Sequence, residues 1–169
     1  MSIADDWALA YARQADADFR AWQRYEDDPR ALAAECHKLL FLQMACEKLC
    51  KAHLVRAGVH SPADVQTSHG FVRKHLPAIL KQEVVYARER PRNLKWTLSQ
   101  IQHLSGEIEI LNPAMTRDGR RPDNCEYPWE DGGKVYSPLD HDFFPARLLT
   151  APAGRIFLNL LRRAIVRNL

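Results

Sequence analysis

The sequence predicts an all-α fold, a single up-and-down bundle of about five helices with a long ordered loop before the last helix. In five segments apolar residues recur at three- and four-residue steps, which is the spacing of one helix face. Residues 112–150, by contrast, contain five prolines and no sustained period, so they predict a loop. A chain of 169 residues, 46% of them hydrophobic, can bury a core without disulfides, and we expect one domain over residues 1–169.

The first two predicted helices are joined by a short acidic turn. The first covers residues 4–24. Its inward positions are Trp7, Tyr11, Ala15, Phe19 and Trp22. Asp28 and Pro29 fit the N-cap and first position of a second helix over residues 30–57, which we expect to end at Gly58.

Apolar residues cover more than one side of the second helix. On a helical wheel, one face carries Cys36, Leu39, Leu40, Cys46, Cys50 and Leu54. Elsewhere on the wheel fall Phe41, Ala45, Leu49 and Ala52. A helix that is apolar on several sides usually lies at the centre of its fold, so we expect this helix to be the central rod of the bundle.

Three further helices complete the predicted bundle. The third runs over residues 69–87, where Pro77 either kinks the helix or marks a late start. The fourth covers residues 94–111 and the last covers residues 152–168. Aromatic segments within the long loop, around Trp129 and Phe143, predict that this loop packs onto the bundle.

Composition bears on location and partners. No stretch approaches the ~20 apolar residues that a membrane span requires, and the acidic N-terminus lacks the features of a secretion signal. The four cysteines form no C-x-x-C pair, which disfavours a disulfide or zinc framework. We therefore expect a cytoplasmic protein with no membrane partner. The net charge of +3 is too small to indicate nucleic-acid binding by itself.

One segment of the second helix carries a recognisable pattern. Residues 45–52 read Ala-Cys-Glu-Lys-Leu-Cys-Lys-Ala, and they are followed by Gly58 and then by Ser68-His69-Gly70. This resembles the HEPN family, in which an Ala-x-Glu-Lys-x-x-Lys-Ala run precedes a glycine and a His then opens the next helix. Tyr127-Pro128 resembles a Tyr-Pro pair that the family often shows before its final helix, although Glu126 stands where an Arg is common.

The resemblance implies a helical bundle that forms a homodimer. Many HEPN members are RNases of toxin–antitoxin and defence systems, whereas others bind nucleotides or partner a nucleotidyltransferase. The RNase members carry an Arg, then four to six residues of which the first is polar, and then a His. Here the spacing match of Arg30 with His37 lies too early and has Ala31 in the polar place. The stretch nearest the family's motif begins at Arg92, and His103 follows it eleven positions later.

The resemblance and the missing motif together predict a non-catalytic accessory or regulatory protein of a prokaryotic stress or defence module. It would bind a nucleotide, RNA or a nucleotidyltransferase partner, and it would need no cofactor. One alternative is a metal-independent endoribonuclease with a diverged pair, either Arg92 with His103 or His69 with Arg73, in which the His is the general acid or base. Another alternative is a helical interaction protein unrelated to HEPN.

Glu47 is the most informative single position. It projects from the middle of an apolar face of the second helix, with Gln43 one turn before it. Buried carboxylates are costly unless they are paired or protonated. Glu47 therefore either forms a salt bridge or hydrogen bond that holds two helices in register, or belongs to a polar ligand-binding pocket with Gln43, Lys51 and His69.

His69 and Arg73 are four residues apart at the start of the third predicted helix, with His75 nearby. A cationic helix N-terminus can bind phosphate, because free backbone N–H groups point outward there. The alternative is that His69 caps the helix or packs beneath the loop.

Tyr127 and Trp129 in the long loop are candidates for stacking a base, although packing of the loop onto the core is the interpretation we favour. Cys46, Cys50 and His53 could reach one metal from one helix. Zinc prefers four ligands, usually from two elements, so the sequence predicts core cysteines and no metal site.

Two charged segments remain. Asp140-His141-Asp142 predicts a solvated loop rather than an acid–base group. The last helix has a basic outer side, which would form an anion-attracting patch if it met Arg117, Arg120 and Arg121 in space.

Overall fold

The computed structural model describes residues 2–28, 30, 33–86, 93–115 and 123–169. These residues form seven α-helices and one small hairpin, which confirms the predicted all-α class. The helices are α1 (Ile3–Asp27), α2 (Glu35–Arg56), α3 (Pro62–Gln66), α4 (Val72–Tyr86), α5 (Leu94–Glu109), α6 (Phe144–Thr150) and α7 (Pro152–Asn168), and the strands are β1 (Trp129–Asp131) and β2 (Lys134–Tyr136). Within the described ranges, no helix combines the length and apolar character that crossing a membrane requires.

α1 begins with a capping box and buries three alanines and two aromatic residues. Ser2 opens α1 with a capping box, in which its hydroxyl accepts the Asp5 N–H and the Asp5 carboxylate accepts the Ser2 N–H. The buried positions are Ala8, Ala12, Ala15, Phe19 and Trp22. The prediction that Trp7 faces inward is wrong, because its side chain is 37% exposed and the neighbouring alanines take the inward positions.

α2 is the central helix, as predicted. Buried residues lie on most of its circumference, and it contacts α1, α4, α5 and α7. Its start differs from the prediction: α2 begins at Glu35, because Asp28 ends α1 and its carboxylate accepts the Arg30 N–H instead of capping a new helix. Gly58 has a φ of +65° just past the end of α2, which is the left-handed backbone that favours glycine there.

Pro77 lies inside α4 and deprives one backbone carbonyl of its helical donor. Proline has no N–H, so the carbonyl of Arg73, four residues earlier, cannot make its usual bond. The side-chain amide of Gln102 on α5 donates to that oxygen at 3.0 Å. α4 therefore continues through Pro77, and the hydrogen bond from Gln102 to the Arg73 carbonyl links α4 to α5.

The segment predicted as a long loop packs onto the bundle, as expected. Cys125 is 2% exposed and Phe143 is fully buried, and the Cys125 N–H donates to the Leu111 carbonyl at 3.1 Å. The described part of the segment contains the β1–β2 hairpin, which turns at Gly132-Gly133, and helix α6. α6 was not predicted, because its seven residues are too few for a helical period to show.

The four cysteines are free thiols, and all of them are buried. Cys46 and Cys50 are fully enclosed in the core, which agrees with their interpretation as core residues. Burial raises the pKa of both thiols, so they are held as small neutral groups.

Candidate functional site

The centre of α2 carries a buried carboxylate with two partners on its own helix. Glu47 is 6% exposed. Its Oε1 lies 2.7 Å from Lys51 Nζ, and its Oε2 accepts a hydrogen bond from Gln43 Nε2 at 2.9 Å. Because residues four apart in a helix share a face, the α2 sequence alone brings these three side chains together.

Two further partners reach Glu47 from outside α2. His69, between α3 and α4, has its Nδ1 3.1 Å from Glu47 Oε1. Asn112, which follows α5, donates from Nδ2 to Glu47 Oε2 at 3.3 Å. We call these five residues, Gln43, Glu47, Lys51, His69 and Asn112, the Glu47 cluster. The predicted proximity of Glu47 to Gln43, Lys51 and His69 is confirmed.

The Glu47 cluster joins three parts of the fold. The salt bridge lies within α2, and the links to the neighbouring segments come from His69 and Asn112. Within the residues that the structure describes, every buried side-chain nitrogen or oxygen has a hydrogen-bond partner. Glu47 and Lys51 were both predicted as ligand-binding residues. Both are buried and paired with each other, so a ligand at the surface would contact the more exposed His69 instead of these two side chains.

Asn112 was not predicted as a member of the site. The Asn112-Pro113 dipeptide indicates a turn, and Asn112 Oδ1 does accept the Ala114 N–H at 2.9 Å. The nitrogen of the same amide reaches Glu47, 65 positions away in the chain. A local turn signal carries no information about such a distant contact.

His69 is the accessible member of the cluster. Its side chain is 40% exposed, whereas that of Glu47 is 8% exposed. When the Glu47 carboxylate is ionised it can only accept hydrogen bonds, so His69 Nδ1 is then the donor, and Nε2 has no hydrogen-bond partner among the residues that the structure describes. Carboxylates that fix the orientation and tautomer of a histidine in this way prepare it for binding or for acid–base chemistry.

Arg73 lies four residues after His69, in the first turn of α4, and its side chain is exposed. Its backbone N–H donates to Glu109 Oε2 at 2.9 Å. Glu109 is 7% exposed, and burial raises the pKa of its carboxyl group. The start of α4 is thus capped by a carboxylate from α5 that the sequence did not reveal. Anion binding here would rest on the side chains of His69 and Arg73, not on a bare helix N-terminus.

The other candidate catalytic pair is not brought to this site by the described contacts. His103 is exposed on α5, and its ring meets that of Phe144 edge-on, with the centroids 6.0 Å apart. No hydrogen bond, ion pair or ring contact between described residues joins His103 to His69 or Arg73. Arg92 lies outside the described residues, so its pairing with His103 stays a prediction.

No hydrogen bond, ion pair or ring contact between described residues joins Tyr127 or Trp129 to the Glu47 cluster. Trp129 stacks on Tyr136 across the hairpin, with the ring centroids 5.9 Å apart. Trp129 is also partly buried against the hydrophobic core, which agrees with the packing of the loop onto the core that we favoured. Tyr127 is 61% exposed, so the core packing that we favoured for it is wrong, and its ring remains open to a ligand.

His141 departs from the solvated loop that was predicted for its segment. Its ring meets Trp129 edge-on at 5.0 Å and Phe143 at 4.7 Å between centroids, and its Nε2 lies 3.8 Å from Asp123 Oδ2. The histidine thus bridges the hairpin and the buried Phe143, because an imidazole can pack as an aromatic ring while its nitrogen faces a carboxylate.

The described residues assemble no metal site. No group of three or more His, Cys, Asp or Glu side chains converges on a position for a metal ion within these ranges. Arg117, Arg120 and Arg121 lie outside the described ranges, so a basic patch shared with α7 stays a prediction.

Comparison with known proteins found no relative of this chain. No family model matches it, and no match was found among the curated proteins or the solved structures.

Proposed function

We propose that this protein is a HEPN-like, non-catalytic accessory or regulatory protein that binds a nucleotide, RNA or a nucleotidyltransferase-type partner. It would act as a cytoplasmic homodimer in a prokaryotic stress or defence module. A phosphate-bearing ligand, held by His69 and Arg73, is the choice that the site favours. The observation that supports this choice is the contact between the accessible His69 ring and the buried Glu47 carboxylate, in which Nδ1 lies 3.1 Å from Oε1.

The residues behind the HEPN resemblance are also residues that meet in space. Glu47 and Lys51 belong to the Ala-x-Glu-Lys-x-x-Lys-Ala run, and His69 is the histidine that follows the glycine. Their contact supports the proposal, because it gives the pattern a physical purpose: the helical run supplies the carboxylate that orients the histidine.

The chemistry of the exposed pair suits a phosphate group. The guanidinium of Arg73 presents donors in a planar fork that matches phosphate oxygens, and His69 would donate to such an oxygen from Nε2 when both of its ring nitrogens carry a proton. Because Glu109 already accepts the Arg73 N–H, affinity would come from exposed side chains. Binding should therefore weaken as the salt concentration rises.

Fluorescence anisotropy with a labelled single-stranded RNA, together with a thermal-shift screen of nucleotides, tests the proposal. The wild type should bind at least one of these ligands, and His69→Ala or Arg73→Ala should weaken binding roughly tenfold. Lys74→Ala is the matched control, because Lys74 is the exposed neighbour of Arg73. No affinity of the wild type for any of these ligands would contradict the proposal and favour a helical interaction protein unrelated to HEPN.

An endoribonuclease is the second candidate, and the same contact of Glu47 with His69 favours it. His69 would act as general acid or base, and Arg73 would stabilise the charge of the transition state. Incubation of labelled RNA with the wild type, His69→Ala and His103→Ala separates the candidates. Cleavage that is lost in His69→Ala but not in His103→Ala supports the endoribonuclease. Cleavage that survives both substitutions refutes the assignment of these residues as catalytic. Absence of cleavage by the wild type favours the binding function.

A further inference from the structure

A groove between the early and late helices shares no residue with the Glu47 cluster. One wall is built by α1 and the start of α2, and the other by α6 and α7. The groove has a volume of about 730 Å³. A smaller cavity of about 240 Å³ continues it between α1 and α7 and shares Trp22, Glu26, Asp27 and Leu158 with it.

The floor of the groove is apolar and about two helical turns long. It is formed by the buried Trp22 and Leu149 and the half-buried Leu158. Along α7 the lining runs from Arg155 to Arg162, which is roughly 10 Å at the rise of an α-helix. This length matches about two turns of one amphipathic helix laid into the groove.

The wall made by α1 and α2 is acidic. It carries Glu26, Asp27 and Glu35. Lys38 lies among them, with its Nζ 3.2 Å from Glu26 and 3.8 Å from Glu35, so it compensates part of that charge. Asp27 is exposed and has no ion pair or side-chain hydrogen bond with another described residue. The acidic wall therefore retains negative charge that faces the groove.

The wall made by α6 and α7 is basic. Arg147 lines it and pairs with Asp142. Arg155 is exposed, and its guanidinium makes no hydrogen bond or ion pair with a described residue. Arg162 reaches the side chain of Asn159 at 3.5 Å, which is a weak contact. Two uncompensated guanidinium groups thus line one side of an apolar floor.

We propose that this groove binds an amphipathic helix of a partner protein whose two flanks carry opposite charge. Its apolar stripe would lie on Trp22 and Leu158, its acidic flank would face Arg155 and Arg162, and its basic flank would face Asp27. Walls of opposite sign select such a helix, because a helix with two like-charged flanks meets repulsion on one side. A second copy that met this one through the same groove would be a poorer occupant, since two concave surfaces would face each other.

Three fluorescein-labelled synthetic helical peptides with the same apolar stripe test the proposal. One carries Glu on one flank and Lys on the other, one carries Glu on both flanks, and one carries Lys on both flanks. The wild type should bind the first peptide most tightly. Arg155→Glu and Asp27→Lys should each weaken that binding roughly tenfold, and the double variant should bind the three peptides about equally. Loss of selectivity is expected because neither wall then carries net charge: the new carboxylate offsets Arg162, and Lys38 with the new ammonium offsets Glu26 and Glu35.

The controls separate charge recognition from damage to the fold. Lys81→Glu changes an exposed residue of α4 outside the groove and should leave peptide binding unchanged. Equal binding of all three peptides by the wild type, or a preference for the first peptide that survives in the double variant, would overturn the proposal. A dimer of the peptide-free protein that Arg155→Glu dissociates in sedimentation velocity would assign the groove to a second copy and also overturn it. RNA or nucleotide binding should be unchanged in Arg155→Glu, so this proposal and the one for His69 can fail separately.

Discussion

Two ion pairs of equal spacing but different burial provide a matched test of the Glu47 cluster. Glu47–Lys51 and Asp16–Arg20 are both i, i+4 pairs on a single helix with the acid first. The side chains of Glu47 and Lys51 are 8% and 6% exposed, whereas those of Asp16 and Arg20 are 20% and 71% exposed. Because the local helix geometry is the same, a difference between the pairs reports the effect of burial.

Glu47→Ala should lower the free energy of unfolding by about 3–5 kcal/mol. The change leaves the Lys51 ammonium buried without its countercharge at 2.7 Å. It also removes the acceptor of the Gln43 and Asn112 amides, and each orphaned buried group costs about 1–3 kcal/mol. Asp16→Ala should cost at most about 1 kcal/mol, since an exposed pair is screened by water.

Urea unfolding followed by circular dichroism measures these costs, and thermal melts check them. For a chain of this size the predicted loss in Glu47→Ala corresponds to a fall in Tm of about 6–20 °C. Replacing both charges, as in Glu47→Leu with Lys51→Met, should recover the part of the loss that comes from the buried ammonium. A cost for Glu47→Ala no larger than that for Asp16→Ala would refute the reasoning, as would a double variant no more stable than the single one.

Three further predictions concern stability. Gly154→Ala should destabilise the fold by about 1–3 kcal/mol, because a Cβ there would lie 2.4 Å from two backbone oxygens at the end of α6. Thermal melts measure this, and a Tm equal to that of the wild type would contradict the close packing. Glu109→Ala should cost about 1–3 kcal/mol because the Arg73 N–H loses its acceptor, whereas Glu109→Gln keeps an acceptor and should have a urea midpoint near that of the wild type. Stability should fall as the pH drops through about 6.5, since burial lowers the pKa of His53 and of His75 and the unfolded chain then binds more protons than the native one. Replacing both histidines with Gln should make the urea midpoint nearly independent of pH between pH ~7.5 and ~5.5. A midpoint that still falls with pH as steeply as in the wild type would exclude these histidines as the cause.

The sequence by itself determined the features that depend on local spacing. Helical periodicity predicted the all-α class and the central position of α2, because a helix that is apolar on several sides has to be surrounded. The four-residue steps between Gln43, Glu47 and Lys51 predicted their common face, since that geometry belongs to any helix. The end of α2 shortly before Gly58 could also be predicted, because the left-handed backbone at that position favours glycine.

Only the tertiary structure decided which distant groups meet these local features. His69 and Asn112 reach Glu47 from 22 and 65 positions away, and Glu109 caps α4 from another helix. The opposed charges of the groove likewise arise because α1 and α7, from the two ends of the chain, lie side by side. Contacts of this kind depend on how the helices pack against one another, and the periodicity of a single segment records which side of a helix is buried but not which partner covers it.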